Sequence, residues 1–331
     1  MQQQQKAELI DRLFNAHKIK AHVASYSEGL RTCQYNIKLD IGEKVSKVKS
    51  VSEELALLVQ SVNKPKIDLD TASGHITIET TVTSKPITVP FETLAQDVDF
   101  TQYELPLVVG ADMQGKPMVV DLAEAPHILI GGSTGAGKSV LCNTIIHSLM
   151  RKYTSEDIQF GFIDPKSTEL TQFKNSAYCG MYASDYESAT ELIDKALTVM
   201  EDRYKLLSLK GYTSLKEFRK KERHPYIVIV IDELADILLQ DKKEFLFTKL
   251  VRLLQKARAA GIHVIANTQR PSRDVLKGLL KANMPVQIAL KTSSNFDSRV
   301  IIGEDGAEKL VGKGDMLVRY NGNTTRVQGA L

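Results

Sequence analysis

The stretch His127–Met150, "HILIGGSTGAGKSVLCNTIIHSLM", decides how the rest of the chain is read. An apolar run meets a glycine-rich turn, and the turn leads into a helical pattern that starts near Lys138. Inside it, Gly132–Ser139, "GSTGAGKS", satisfies the GxxxxGK[ST] pattern in full. The glycines permit backbone conformations in which successive N–H groups converge on a polyphosphate, and the helix adds its positive N-terminal end. The candidate nucleotide ligands are therefore Gly132, Ser133, Thr134, Gly135, Ala136, Gly137, Lys138, Ser139 and Val140. Lys138 is expected at the β- and γ-phosphates of ATP, and the Ser139 hydroxyl on Mg²⁺.

Outward from the loop the same texture recurs in "IQFGFID", "YIVIVID", "IHVIANT" and "PVQIAL". Runs without polar alternation are strands covered on both faces, which predicts an α/β fold with a mainly parallel sheet between helical layers. Ligands then sit at the carboxyl ends of the strands. One of those ends carries two acids: "YIVIVIDE", Tyr226–Glu233. Asp232 is expected to hold Mg²⁺ through water, and Glu233 to orient and polarise an attacking water. Such a pair can also be a solvated strand cap, but following a phosphate loop it favours hydrolysis. Gln269, at the tip of "IHVIANTQRP", is placed to sense the γ-phosphate; capping the turn before Pro271 is its plainer role.

The first part of the chain has a different texture. "KAELIDRLFNAH" and "GEKVSKVKSVSEELALLVQSV" have helical spacing, and "AHVASYSEG", "RTCQYNIKLDI", "ASGHITIETT" and "KPITVPF" look like strands. This predicts a small α/β domain over 1–104, before a second domain over 105–331 that opens with a hairpin turning at Gln114–Lys116. A length of 331 residues accommodates two domains, and 43% hydrophobic with 25% charged residues is ordinary for a globular protein. No apolar run approaches the roughly 18 to 20 residues of a membrane span, so a cytoplasmic chain without membrane contact is expected. The three cysteines, Cys33, Cys142 and Cys179, lie far apart and form no metal-binding spacing.

The net charge of +3 does not by itself point to nucleic acid. Locally, Arg252, Lys256, Arg258, Arg270 and Arg273 follow one another without an intervening acid, and Lys277 and Lys281 continue the run. Arg270, Arg273 and Lys277 are the candidate contacts to a phosphate backbone. A solvated helix face is the alternative. Arg299, in "TSSNFDSRVI", is either a surface ion-pair residue or a charge reaching the γ-phosphate of a neighbouring subunit.

Taken in order, "HILIGGSTGAGKS", "GFIDPKSTEL", "MEDRYKLL", "YIVIVIDELADIL", "QKARAAGIHVIANTQRPSRDVLKGLLKANMPVQIAL", "SSNFDSRVIIGEDGAEKLVGKGDML" and "RVQGAL" resemble the motor region of the FtsK/SpoIIIE family of DNA translocases. The first domain and the lead-in "VVGADMQGKPMVVDLAEAPH" resemble theirs as well. The resemblance implies a RecA-like P-loop ATPase that forms a homo-hexamer around double-stranded DNA and moves along it by hydrolysing ATP, in chromosome partition at cell division or in DNA transfer. It carries the roles of Gly132, Gly135, Gly137, Lys138, Ser139, Asp232 and Glu233 over to this chain, with Gln269 as sensor and Arg299 acting in trans. It also draws attention to Asp164 and Lys166 of "IDPK", although a capped strand end explains them almost as well. Most members carry a membrane region and a C-terminal winged-helix domain, and nothing in this sequence corresponds to either. Three other readings stay open: a protein-pumping ATPase of the same superfamily, a conjugation-type coupling ATPase, and a slow nucleotide-gated clamp.

Overall fold

A computed structural model describes the whole chain except Met1, Gln2, Arg31, Asn63, Thr71, Ala72, residues 82–86 and Arg273. It divides into two compact units, one of residues 1–87 with 111–116, the other of residues 88–110 with 117–331. Sequence texture draws the boundary at 104, seventeen residues after the division at 87. Residues from 88 onward join the second unit because the segment after Val89 is tied to it. The Phe91 N–H bonds the Leu331 carbonyl, and Glu92 pairs with Arg151 at 2.5 Å.

The first unit runs α1 (Gln3–Ala16), β1 (Ala21–Glu28), β2 (Thr32–Leu39), α2 (Val45–Ser50), α3 (Ser52–Leu58), β3 (Lys66–Asp70) and β4 (His75–Thr81). Its four strands form an antiparallel sheet in the order β1-β2-β4-β3. Alternation along β2 and β4 turns Cys33, Tyr35, Ile37, Ile76 and Ile78 inward against Ile10 and Phe14 of α1. The single helix expected from "GEKVSKVKSVSEELALLV" is two short ones broken at Val51. There the Ser50 hydroxyl bonds the Lys47 carbonyl, competing with the backbone ladder. "KPITVPF" is not a strand over its described residues; Val89 alone bridges to Ala330.

The second unit continues with α4 (Phe91–Gln96), β5 (Pro106–Asp112), β6 (Pro117–Asp121), β7 (His127–Gly131), α5 (Lys138–Lys152), β8 (Ile158–Ile163), β9 (Cys179–Ala183) and α6 (Tyr186–Lys210). It is completed by α7 (Leu215–Phe218), β10 (Tyr226–Ile231), α8 (Leu234–Leu238), α9 (Phe245–Lys256), β11 (Ile262–Thr268), α10 (Gly278–Ala282), β12 (Val286–Leu290), α11 (Asn295–Ile302), β13 (Asp315–Tyr320) and β14 (Asn323–Gly329). Ten strands make one sheet in the order β6-β5-β14-β13-β12-β7-β11-β10-β8-β9. The run from β12 to β9 is parallel, as the unalternating apolar stretches predict; β13 and β14 add on antiparallel.

Alternate residues of the parallel strands feed two separate cores. Ile128, Ile130, Phe160, Phe162, Val228 and Val230 pack with Leu141, Ile145 and Leu149 of α5. Leu129, Ile163, Ile229, Ile231 and Val264 face Leu192 and Met200 of α6 and Leu250 and Leu254 of α9. The chain passes from β7 to β8 over the two strands between them, so the carboxyl ends of β7, β11, β10 and β8 line one crevice. Among the described residues no helix is long and apolar enough to cross a membrane.

Two histidines close the opposite ends of β7 and β11. His127 Nδ1 accepts the Val264 N–H at 3.0 Å, and His263 Nδ1 lies 3.2 Å from the Pro126 carbonyl. Burial, and for His127 also the neighbouring His263 ring, lowers their pKa values to about 3 and about 4. The unfolded chain therefore binds more protons below the ordinary value of 6.5. Stability is complete above that pH and is lost as pH falls toward the folded values, by up to about 1.4 kcal/mol per pH unit for each ring. Urea unfolding followed from pH 7 to 5 should show a falling midpoint that His263→Gln makes shallower. A midpoint flat over that interval would show that the rings protonate without strain.

Candidate functional site

The phosphate loop rises from the carboxyl end of β7, an interior strand of the sheet. Gly131 ends β7, and Gly137 caps α5 with φ of 114°, outside the range of ordinary L-residues. A Cβ on Gly137 would also stand 2.8 Å from the Gly314 nitrogen. The loop is held from outside at two points. The Lys291 carbonyl, just past β12, accepts both the Ser133 N–H at 2.8 Å and its hydroxyl at 2.9 Å, and the Gly314 N–H donates to the Ala136 carbonyl at 2.8 Å. At the start of α5, Lys138, Ser139 and Val140 have no intrahelical acceptor for their N–H groups.

Lys138 lies buried at the centre of the loop, with its ammonium donating to the carbonyls of Gly132 at 2.7 Å and Ser133 at 3.0 Å. Burial lowers its pKa, opposed by the nearby carboxylates of Glu233 and Asp232. Asp232 follows β10 directly. Burial first, then the charges of Asp164, Glu169 and Glu233, raises its pKa to about 6. Such a carboxylate gains from a cation placed against it.

Glu233 is almost fully buried and both of its oxygens are engaged. One accepts the Thr268 hydroxyl at 2.8 Å and the Ala235 N–H at 3.2 Å; the other accepts the Gln269 N–H at 2.8 Å. It is thus also the N-cap of α8. The Gln269 side chain in turn accepts the Thr134 hydroxyl at 2.8 Å. A continuous chain of hydrogen bonds runs from the phosphate loop through Gln269 to Glu233. The sequence places these residues near one another, but the Thr134–Gln269 and Thr268–Glu233 bonds are visible only in the fold. Asp164 directly follows β8, as Asp232 follows β10 on the neighbouring strand, and Lys166 pairs with Asp236 at 3.2 Å.

The remaining candidates lie elsewhere. Arg299, on α11, is exposed and held by both oxygens of Asp305, at 2.6 and 2.7 Å. The basic run is not a bare positive surface. Arg252 pairs with Glu201, Arg258 with Glu124 and Lys277 with Glu244, each acid coming from a distant part of the chain. Arg270 is exposed, and Arg273 lies outside the described residues. Among the described residues no three His, Cys, Asp or Glu side chains are close enough to hold a metal ion by themselves. Cys33 and Cys142 are buried thiols, and Cys179 is half-buried.

Known proteins give this geometry a context. The chain is 35% identical over 369 aligned residues to the DNA translocase FtsK of Rickettsia typhi, covering 98% of this chain and 48% of that protein. It is also 35% identical to the DNA translocase FtsK of Haemophilus influenzae, covering 100% of this chain and 68% of the relative. The chain spans about half the length of most of the relatives it matches. Among solved structures, the pCW3 conjugation coupling protein TcpA, in a monomer form with ATPγS, superposes with a TM-score of 0.67 at 22% identity over 98% of this chain and 95% of that one. The type VII secretion ATPase EccC of Thermomonospora curvata does so with 0.64 at 23% identity, over 74% and 32%. At that identity the likeness establishes a shared fold, that of RecA-like P-loop ATPases. Residues 1–81 match the FtsK alpha domain, residues 95–224 and 213–273 match the FtsK/SpoIIIE family, and the chain belongs to that family.

Proposed function

We propose that the chain is the motor of an ATP-driven double-stranded DNA translocase that works as a hexameric ring on the cytoplasmic side, in chromosome segregation or DNA transfer. The observation that carries this reading is the convergence of Lys138, Asp232, Glu233 and Gln269 on one crevice at the carboxyl ends of β7, β10 and β11. The polymer comes from the relatives named DNA translocase, which match nearly the whole chain. The secretion and coupling ATPases that share the fold leave a protein substrate as the second reading.

In this reading the loop N–H groups and Lys138 grip the β- and γ-phosphates. Mg²⁺ fits the site: Ser139 and Asp232 would hold it, Asp232 through water, and a crevice without three clustered ligands suits a metal that arrives on the nucleotide. That ion supplies charge neutralisation at the phosphate oxygens. Glu233 keeps one acceptor site free, on the oxygen that takes the Gln269 N–H, and there accepts a proton from a water beside it. Gln269, bonded at its backbone to Glu233 and at its side chain to Thr134, reports the loss of the terminal phosphate to the segment that follows. Arg299 supplies a charge to the next subunit's nucleotide once it leaves Asp305. Arg270 and Arg273 contact the DNA backbone, and Lys277 joins them if it exchanges Glu244 for phosphate.

The test is steady-state ATP hydrolysis with and without long linear duplex, across a salt series. Duplex should stimulate turnover severalfold or more, and the stimulation should fade as salt rises. Turnover indifferent to DNA at low salt would favour a protein substrate. In the same assay, Arg299→Ala subunits mixed with wild type should depress the rate more steeply than their share; a proportional fall would remove the trans role.

A further inference from the structure

Asp164 takes no part in gripping the nucleotide in the reading above. It is fully buried, and its two oxygens are treated unequally. Oδ2 accepts the Leu170 N–H at 2.9 Å and the Tyr182 phenol at 3.0 Å, whereas Oδ1 has no partner among the described residues. A bare buried carboxylate oxygen is costly, so the working site has a reason to bring it a donor.

The strands show where that donor must come from. Phe162 and Val230 both face the α5 layer, so Asp164 and Asp232, two residues further along, face it too. Ile163 pairs with Ile231, and the Asp232 N–H donates to the Ile163 carbonyl at 2.9 Å. Asp164 and Asp232 therefore stand side by side on neighbouring strands, whose backbones run roughly 4.8 Å apart, on the face that carries the phosphate loop's helix. Lys166 does not neutralise them by a direct ion pair, since its ammonium is paired with Asp236. Nor do the nearby acids form a direct metal cage. What relieves the pair is a cation approached through water.

We infer that Asp164 uses Oδ1 to accept a hydrogen bond from a water in the shell of the nucleotide-borne Mg²⁺, fixing that shell beside Asp232. Asp164 is then a positioning residue, with Oδ2 anchored by Leu170 and Tyr182 so that Oδ1 points one way. The inference rests on reading Gly132–Ser139 as a nucleotide site.

Asp164→Asn separates the two oxygens. The amide oxygen can take the place of Oδ2 and keep both existing bonds, while the NH₂ group turns the free acceptor into a donor. The probe is a fluorescent ADP analogue titrated with Mg²⁺, together with the Mn²⁺ electron paramagnetic resonance spectrum of the bound complex. In Asp164→Asn the Mg²⁺ concentration for half-maximal effect should rise about tenfold, with nucleotide affinity in EDTA and the melting temperature in EDTA both unchanged. Tyr182→Phe, which leaves Oδ1 as it is, should move the Mg²⁺ requirement by less than threefold. An unchanged Mg²⁺ titration in Asp164→Asn, or an equal effect of Tyr182→Phe, would reduce Asp164 to a strand-end cap. If wild type itself binds no nucleotide, the site reading fails first and takes the inference with it; if wild type binds and only Asp164→Asn is silent, the inference alone falls.

Discussion

Lys138→Ala should abolish measurable ATP binding, with affinity falling by at least about a hundredfold. The ammonium is the one buried cation inside the loop, and it is held by carbonyls that the loop itself turns inward. Removing it leaves those carbonyls facing the phosphates without a positive charge, and a charge-assisted contact of this kind is worth roughly 1.5–3 kcal/mol or more. Loss of the charge also takes a cation away from the carboxylates of Glu233 and Asp232, which further opposes an anion. Isothermal titration with ATP reads the effect directly. Affinity within threefold of wild type would mean that the N–H groups alone hold the ligand and that Lys138 serves packing.

Glu233→Gln should keep ATP bound while turnover falls by about 10²–10⁴-fold, the usual worth of a positioned base. The structure adds a second expectation. Glu233 accepts three hydrogen bonds, one of them from the Gln269 N–H. An amide in its place must turn its NH₂ toward at least one of those donors, so folding stability should fall by roughly 1–3 kcal/mol. Single-turnover hydrolysis and thermal melting together check both parts. Equal hydrolysis rates in wild type and variant would remove Glu233 from the chemistry and leave it as the cap of α8 and the anchor of Gln269.

The central half of the second unit was legible because its physics is local. Strands buried on both faces cannot alternate, and a loop that wraps phosphate must place glycine where φ is positive, so both leave marks in consecutive residues. The positions of Asp232, Glu233 and Gln269 at strand ends could be read for the same reason, each lying within two residues of the end of a strand. What escaped was set by distant partners. Nothing near Lys277 in the sequence announces Glu244, nor does anything near Arg258 announce Glu124, so a run that looks purely basic is partly paired. The break at Val51 comes one residue after Ser50, whose hydroxyl bonds the Lys47 carbonyl, and helical spacing continues across it undisturbed. The bare oxygen of Asp164 likewise depends on which of its neighbours the fold brings to Oδ2.

The order of the ten-stranded sheet also bears on how the protein is made. β5, which enters the chain at Pro106, is joined to the rest of the sheet only through β14, at Asn323–Gly329. A nascent chain can assemble the parallel strands and the loop between β7 and α5 while β5 and β6 still lack their neighbour. Until β14 emerges, the hairpin offers an unpaired edge to any other strand in reach. Closing that gap is a long-range event, and chaperones that shield exposed edges would have the most to do in the interval before it occurs.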